Sequence, residues 1–377
     1  MATLIFTVTN DLSYDQRMRR ICNTLSASGY EVLLVGRQRP RSIPLSAQGF
    51  RQKRLKCWFE TGPLFYAEFN TRLFFFLLFT RMDVICAIDL DTIIPCYLVS
   101  VLRKKRRVYD AHELFTEMKE MITRPMILKF WTLVERSMVP RFRYGYTVNE
   151  SIAEELHRRY GVRYEVVRNL PVKVKQEPAP EHDARLIIYQ GAVNEGRGFE
   201  TLIPAMRKVN GTLLICGEGN FFLQTQKLIR QHNVSDRVTL KGYVPPDELR
   251  SITPRARVAV MIFEATGMNQ FHSLSNRFFD YIMAGVPQIC VNYPEYKKIN
   301  DVHQVALMIN DTNEDTIANA LNRLLCDDEL HRTLQRNCIL ARETLNWENE
   351  EHKLRLFYQQ LTGSATAIEN QPVLNRF

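Results

Sequence analysis

The sequence predicts an α/β protein of two doubly wound, Rossmann-like domains. Three observations lead there. The chain has 377 residues, enough for two domains with sizeable cores. Short apolar, strand-like runs alternate with stretches of helical periodicity, as βα units require. The alternation stops at Lys173 to His182, KVKQEPAPEH, a proline- and charge-rich break, and then restarts. The boundaries that follow are a first domain over residues 1–170, a linker over 171–184, a second domain over 185–345, a closing helix over 346–361 and a tail over 362–377.

Thr3 to Val8 is the first strand. After the polar loop Asn10 to Asp15, Met18, Ile21, Cys22 and Leu25 recur at helical spacing, Gly29 ends the helix, and Glu31 to Val35 is the second strand. Lys53 to Phe59 reads as a strand and the aromatic run Phe65 to Phe79 as a helix, with Arg72 inside it and Arg81 beyond. Val84 to Ile88 is a strand ending in Asp89-Leu-Asp91. Such a pair can hold a divalent cation, but it reads better as turn and cap residues opening the helix Thr92 to Leu102. Strands follow at Val108, at Gly145 to Val148 and at Tyr164 to Arg168, with the amphipathic helix Met126 to Val139 between.

The second half repeats the pattern. Arg185 to Gln190 is a strand, and Gly191 to Gly198, GAVNEGRG, is a glycine-rich loop opening a helix, where backbone can approach a phosphate closely. Thr212 to Cys216 leads into Gly217-Glu-Gly219, which lacks the third glycine of a dinucleotide fingerprint. Val238 to Val244 and Val258 to Ile262 are strands. A loop carrying Gly267, His272 and two serines precedes a helix with Ser275 at its N-cap, apolar residues at Phe278, Phe279, Ile282 and Met283, and a stop at Gly285 and Pro287. Gln288 to Val291 and Val305 to Ile309 are strands, and helices run from Asp311 to Leu361.

A strand–loop–helix–strand unit collects free N–H groups and the positive end of the helix dipole at one point. The amides near Leu274, Ser275 and Asn276 are therefore expected to hold a diphosphate. Asp280 lies about one turn further on, placed for a carboxylate to accept two hydrogen bonds from vicinal ribose hydroxyls.

The stretch Ser275 to Ile289, SNRFFDYIMAGVPQI, resembles the donor-binding helix of retaining glycosyltransferases of family 4, whose fold is GT-B. In that family an acidic residue, seven residues and a second acidic residue mark the site. Asp280 matches the second acid, the ribose anchor, while His272 stands at the first, leaving Glu264 as a spare candidate. Val108 to Phe115, VYDAHELF, resembles the acceptor-domain motif and makes His112 the histidine near the transferred sugar, with Glu113 beside it. In the glycine-rich loop the family has an arginine and a lysine that neutralise the donor diphosphate. Arg197 holds the lysine position, and Ala192 stands where the arginine would be.

The resemblance further implies that Gly191, Gly217 and Gly219 line the donor pocket and that Tyr243, in TLKGYV, lies along the nucleobase. Asp15 and Arg17 take the acceptor side, or else are a helix cap and a solvated charge. It extends to about residue 360 and implies two domains facing a cleft, a UDP- or GDP-sugar as co-substrate, no required cofactor or metal, and a glycan or lipid-linked acceptor in cell-envelope or surface polysaccharide synthesis. Catalytic roles fall to His112, Arg197 and His272. The alternatives are a sugar-nucleotide epimerase on the same fold and an inactive nucleotide-binding partner protein.

Charge adds a further expectation. Residues 1–170 hold 27 Lys+Arg against 17 Asp+Glu, a balance of +10, and residues 171–377 hold 23 against 24, a balance of −1. Arg103 to Arg107, beside the apolar run Leu73 to Phe79, reads as an anionic membrane surface contact. No nucleic-acid signature accompanies it. The N-terminus lacks a signal-peptide pattern, no run is long enough to span a bilayer, and the eight cysteines carry no Cys-x-x-Cys. A cytoplasmic protein, peripheral at the inner face of the plasma membrane, is expected.

Overall fold

The computed structural model describes residues 1–173, 183–264 and 267–363. Most of the expected linker and nearly all of the tail lie outside these residues. In order, the elements are β1 (Thr3–Thr7), α1 (Gln16–Ala27), β2 (Glu31–Gln38), β3 (Arg51–Lys56), α2 (Gly62–Phe79), β4 (Val84–Ile88), α3 (Ile93–Leu102), β5 (Arg106–Ala111), α4 (Lys119–Ile122), α5 (Pro125–Met138), β6 (Tyr144–Thr147), α6 (Glu150–Tyr160) and β7 (Glu165–Val166). Then come β8 (Asp183–Gln190), α7 (Phe199–Ala205), β9 (Thr212–Cys216), α8 (Phe222–Gln231), β10 (Val238–Gly242), α9 (Pro246–Ile252), β11 (Ala256–Met261), α10 (Met268–Phe271), α11 (Asn276–Ala284), β12 (Gln288–Val291), α12 (Pro294–His303), β13 (Ala306–Ile309), α13 (Glu314–Cys326), α14 (Asp328–Ala341) and α15 (Trp347–Thr362).

They build two sheets, ordered β3-β2-β1-β4-β5-β6-β7 and β10-β9-β8-β11-β12-β13. Neighbouring strands run parallel: Ile5 lies opposite Leu33 and Ile85, and Ile188 opposite Leu214 and Ala259. In both sheets the strand order reverses beside the first strand, which is the doubly wound pattern. Contact density divides the chain into Met1–Val108 with Glu350–Phe377, and Tyr109–Asn349.

In the first unit, α1 begins where Asp15 accepts a hydrogen bond from the Met18 amide at 2.9 Å, the cap arrangement that satisfies a free N–H. Arg17 is not the solvated charge that its first-turn position suggested: it is 4% exposed, because α1 turns it inward. In α2 the spacing Phe65, Phe69, Leu73, Leu77 buries one stripe. From α15, Tyr358 is buried against Phe6 and Tyr30, and Thr24 donates to Glu351 at 2.7 Å. Asp89 and Asp91 act in a turn, Asp89 at φ +52° and Asp91 accepting from Thr9 Oγ1 at 2.8 Å.

The second unit's core contains Ile187, Ile188, Ile215, Val258, Val260, Phe278, Ile282, Ile289 and Cys290. All eight cysteines are free, and Cys86, Cys216 and Cys290 are buried. Two local expectations change. β7 is only Glu165–Val166, because Tyr164 turns its hydroxyl to the Phe142 carbonyl at 2.9 Å and packs on Tyr109. The loop after β11 contains the short helix α10, whose turn closes through His272 N–H to the Met268 carbonyl at 3.0 Å. No helix among the described residues is long and apolar enough to cross a membrane.

Candidate functional site

In an open parallel sheet the loops after two neighbouring strands diverge where the strand order reverses, leaving a crevice at the carboxyl ends. In the second sheet that point lies between β8, ending at Gln190, and β11, ending at Met261. The glycine-rich loop after β8 is laced to the loop after β9. Gly191 N–H donates to the Cys216 carbonyl at 2.9 Å, Val193 N–H to Glu218 at 3.0 Å, and Phe221 N–H to Val193 at 2.9 Å. Asn194 and Asn220 each accept from the other loop, both at 3.1 Å. The approach is so close that a Cβ at Gly217 would overlap the Gly191 carbonyl, and one at Gly219 would overlap Asn194 and Val193. Tyr243, after β10, is exposed.

On α11, Asp280 is half-buried at the end of this crevice. Gln190 donates to it from Nε2 at 3.3 Å, and Gln190 is itself fixed by Thr253 Oγ1 donating to its Oε1 at 2.6 Å and by its amide donating to Tyr281 Oη at 3.0 Å. The helix ends as expected, at Gly285 with φ +71°. Its start differs from the expected cap: Ser275 makes no side-chain cap bond, and its amide is taken by Tyr296 Oη at 2.9 Å. Asn276 is exposed and accepts from Asn169 Nδ2 at 2.8 Å, while Leu274 packs against the core.

Two guanidinium groups share the Phe263 ring. Arg197 Cζ lies 4.5 Å from its centroid and Arg277 Cζ 5.0 Å. Burial lowers the pKa of Arg197, and the like charge of Arg277 lowers it further. The position after β11 is pinned as well: Glu264 N–H donates to the Gly196 carbonyl at 3.1 Å, and Tyr293 Oη to the Phe263 carbonyl at 2.8 Å.

At the end of β5, His112 Nε2 stands 3.1 Å from Oδ2 of Asp110, a carboxylate with no exposure. Glu113 accepts from Asn269 Nδ2 at 3.1 Å, and the Leu114 amide donates to Asn269 Oδ1 at 3.0 Å. Asn149 Nδ2 donates to the His272 carbonyl at 2.9 Å, and His272 Nδ1 is buried without a hydrogen-bond partner. The short segment 268–272 is thereby tied to the His112 turn and to the start of α6. Asp15 and Arg17 belong to the other unit, at the start of α1, where Asp15 also accepts from Asn10 Nδ2 at 2.7 Å.

Arg277, Gln190, Asp110 and Asn269 escaped the sequence reading. Arg277 carried a usable signal, a charge immediately before Phe278 on the apolar stripe of a helix. Gln190 and Asn269 carried none, since their contacts are distant in the chain, and Asp110 meets His112 only because both stand at the end of β5.

A carboxylate, cations and a helix start thus lie at the switch point of a parallel sheet, the place where open α/β sheets take anions and nucleotides. A family model described as Glycosyltransferase Family 4 matches residues 16–171, and one described as Glycosyl transferases group 1 matches residues 173–339. The chain belongs to the family 4 glycosyltransferases, on the GT-B fold. Similar solved structures include sucrose-phosphate synthase from Thermosynechococcus elongatus, with TM-score 0.76, 19% identity and coverage of 96% of this chain and 100% of that one. HepE of Anabaena in complex with UDP and glucose has TM-score 0.73, 12% identity and coverage of 97% and 100%. The lipopolysaccharide outer core galactosyltransferase WaaB has TM-score 0.65, 13% identity and coverage of 96% and 99%. At these identities the likeness is one of fold. Comparison with curated proteins gave no significant match.

Proposed function

We propose that this chain moves a sugar from a UDP- or GDP-sugar to a glycan or lipid-linked acceptor, with retention of anomeric configuration. The observation that carries the reading is Asp280, a half-buried carboxylate oriented by the Thr253–Gln190 relay at the switch point, with Arg197 by the neighbouring loop. HepE, solved in complex with UDP, and WaaB, a galactosyltransferase, favour the same class, the former by its bound nucleotide and the latter by its galactosyl transfer.

Asp280 would accept the two ribose hydroxyls. Breaking the bond to the sugar leaves negative charge on the diphosphate, which Arg197 and the start of α11 would stabilise where charge develops. His112, held by buried Asp110, would donate to a sugar hydroxyl, and His272 would offer its unsatisfied ring nitrogen nearby. Retention would follow if the leaving phosphate accepts the acceptor's proton on the face it departs from, so no protein nucleophile is assigned. Asp15, Arg17 and Glu113 would serve the acceptor.

The protein would work at the cytoplasmic face of a membrane, in polysaccharide assembly. The expected basic contact is refined by geometry. Arg103 donates to the carbonyls of Leu77 and Thr80, Lys105 pairs with Asp83 at 3.4 Å, and Arg107 lies 5.2 Å over Tyr97. Arg81, Lys104 and Arg106 are exposed, in the same unit as the outward-facing Phe75 and Phe79 of α2 and Leu98 and Leu102 of α3.

The test is calorimetric titration with UDP and GDP, then NMR of the anomeric product formed from their sugars. A carboxylate holding two hydroxyls contributes about 1.5–3 kcal/mol per charged hydrogen bond, so Asp280→Ala should weaken the nucleotide that binds by at least about tenfold. Failure of both nucleotides to bind wild type overturns the reading. Turnover to an epimerised nucleotide-sugar without acceptor would replace it with an epimerase.

A further inference from the structure

Arg277 is a charge in an apolar place. It is 7% exposed, on the face of α11 that also buries Phe278, Tyr281 and Ile282. Its Cζ sits 4.3 Å over the Tyr189 ring and 5.0 Å from the Phe263 centroid. Beside a hydrogen bond with the Tyr189 side chain, one long bond reaches the Gln190 carbonyl at 3.4 Å, and Nε is buried with no partner. Among the described residues, neither Arg277 nor Arg197 has a carboxylate within ion-pair distance. Cation–π contact and the surrounding tyrosines offset the desolvation of Arg277, whereas burial and the like charge of Arg277 still lower the pKa of Arg197, so an anion joining the two would relieve their repulsion.

Position matters as much as charge. The Tyr189 ring that carries Arg277 donates its hydroxyl to the Ala192 carbonyl at 2.8 Å. Ala192 is the exposed loop position at which the chain lacks the cation its motif leads one to expect. Arg277 therefore reaches, from the helix side, the neighbourhood that a side chain at 192 would reach from the loop.

We propose that Arg277 is the second diphosphate-binding cation of this chain, replacing the one absent at position 192 and forming with Arg197 a clamp for the diphosphate of the donor. This rests on the donor-site reading above. Guanidinium forks suit it, since each can grip phosphate oxygens bidentately. A purely structural Arg277 would serve only to fill the space between Tyr189 and Phe263.

The two roles separate by ligand. UDP, UMP and uridine, and GDP, GMP and guanosine, are titrated against wild type, Arg277→Gln, Arg277→Lys and Arg277→Gln/Ala192→Arg. The clamp predicts at least about tenfold weaker diphosphate binding in Arg277→Gln, less than about twofold change for the nucleoside, and recovery of most of the loss on adding Ala192→Arg. Arg277→Lys keeps the charge and fold and should fall between. It gives the same comparison if the glutamine variant does not fold. Unchanged diphosphate affinity in either variant overturns the clamp, as does an equal loss for nucleoside and diphosphate, which marks a packing role. A phosphate-specific loss that Ala192→Arg leaves unrepaired overturns the replacement. If wild type binds neither UDP nor GDP, the donor reading itself fails, and the clamp with it.

Discussion

Glu155 shows how one side chain reaches the site through others. It accepts from Arg158 Nη2 at 2.6 Å and from Arg159, which also pairs with Glu117 at 2.7 Å, three residues beyond Leu114 in the His112 turn. The hydrogen bond from Arg158, and then those from Arg159, hold the Glu155 carboxyl down at about 2, from 4.5. A folded-state pKa below the unfolded one stabilises the fold above the unfolded value and stops doing so as pH falls through the folded value. The contribution of Glu155 is thus complete above about pH 5 and lost between about pH 4.5 and 2. Urea midpoints across pH 3 to 7 should fall on the acid side in wild type, and Glu155→Gln should be less stable at pH 7 with a flatter acid limb. An unchanged acid limb in the variant would remove this network from the account. Such residues also mark what a sequence shows at this scale. The places of Asp280 on a helix and Arg197 in a loop were legible because a short motif fixed them. Those of Asp110 and Gln190 were not, because a carboxylate or amide at a strand end finds its partner only once the fold is made.

Elements were the most legible level. β4, β9 and β12 have the residues expected of them, since an uninterrupted apolar run bounded by glycine, proline or charge leaves little choice of ends. α10 was missed because four residues carry no periodicity to read, and β7 shrank because Tyr164 found a better partner than the ladder. The interlock of the loops after β8 and β9 was visible only as two glycine-rich strings. Its physical content is the absence of room: Gly219 has no space for a Cβ beside Asn194 and Val193. Gly219→Val must push the two loops apart and take Arg197 with them. Nucleotide affinity should drop at least about tenfold, with a loss of about 1–3 kcal/mol in stability read from urea unfolding. A variant with wild-type affinity would show that the lacing does not hold the phosphate loop.

At the scale of the whole molecule, the sequence announced a basic first half, and the charge balance did not say where that charge acts. The run Arg103 to Arg107 looked like one patch. In the structure it is divided, with Arg103 and Lys105 spent on Leu77, Thr80 and Asp83 and only Lys104 and Arg106 left exposed. The apolar partner is likewise narrower than the run Leu73 to Phe79, because Leu73 and Leu77 are core while Phe79 is 83% exposed. Exposed aromatic and basic side chains in one unit suit the boundary of an anionic bilayer, where rings enter the interface and each cation near the surface contributes about 1 kcal/mol. Sedimentation with vesicles containing phosphatidylglycerol should therefore retain the protein at low salt and release it as salt rises past about 0.15 M, as screening demands. Replacing Arg81, Lys104 and Arg106 by glutamine should abolish retention, and Phe79→Ser should weaken it at every salt concentration, because it removes apolar burial and no charge. Arg103→Gln should cost stability rather than binding, since its guanidinium is already engaged by carbonyls. Equal retention by phosphatidylcholine vesicles, or none by anionic ones at low salt, would send the basic half in search of a soluble anionic partner instead.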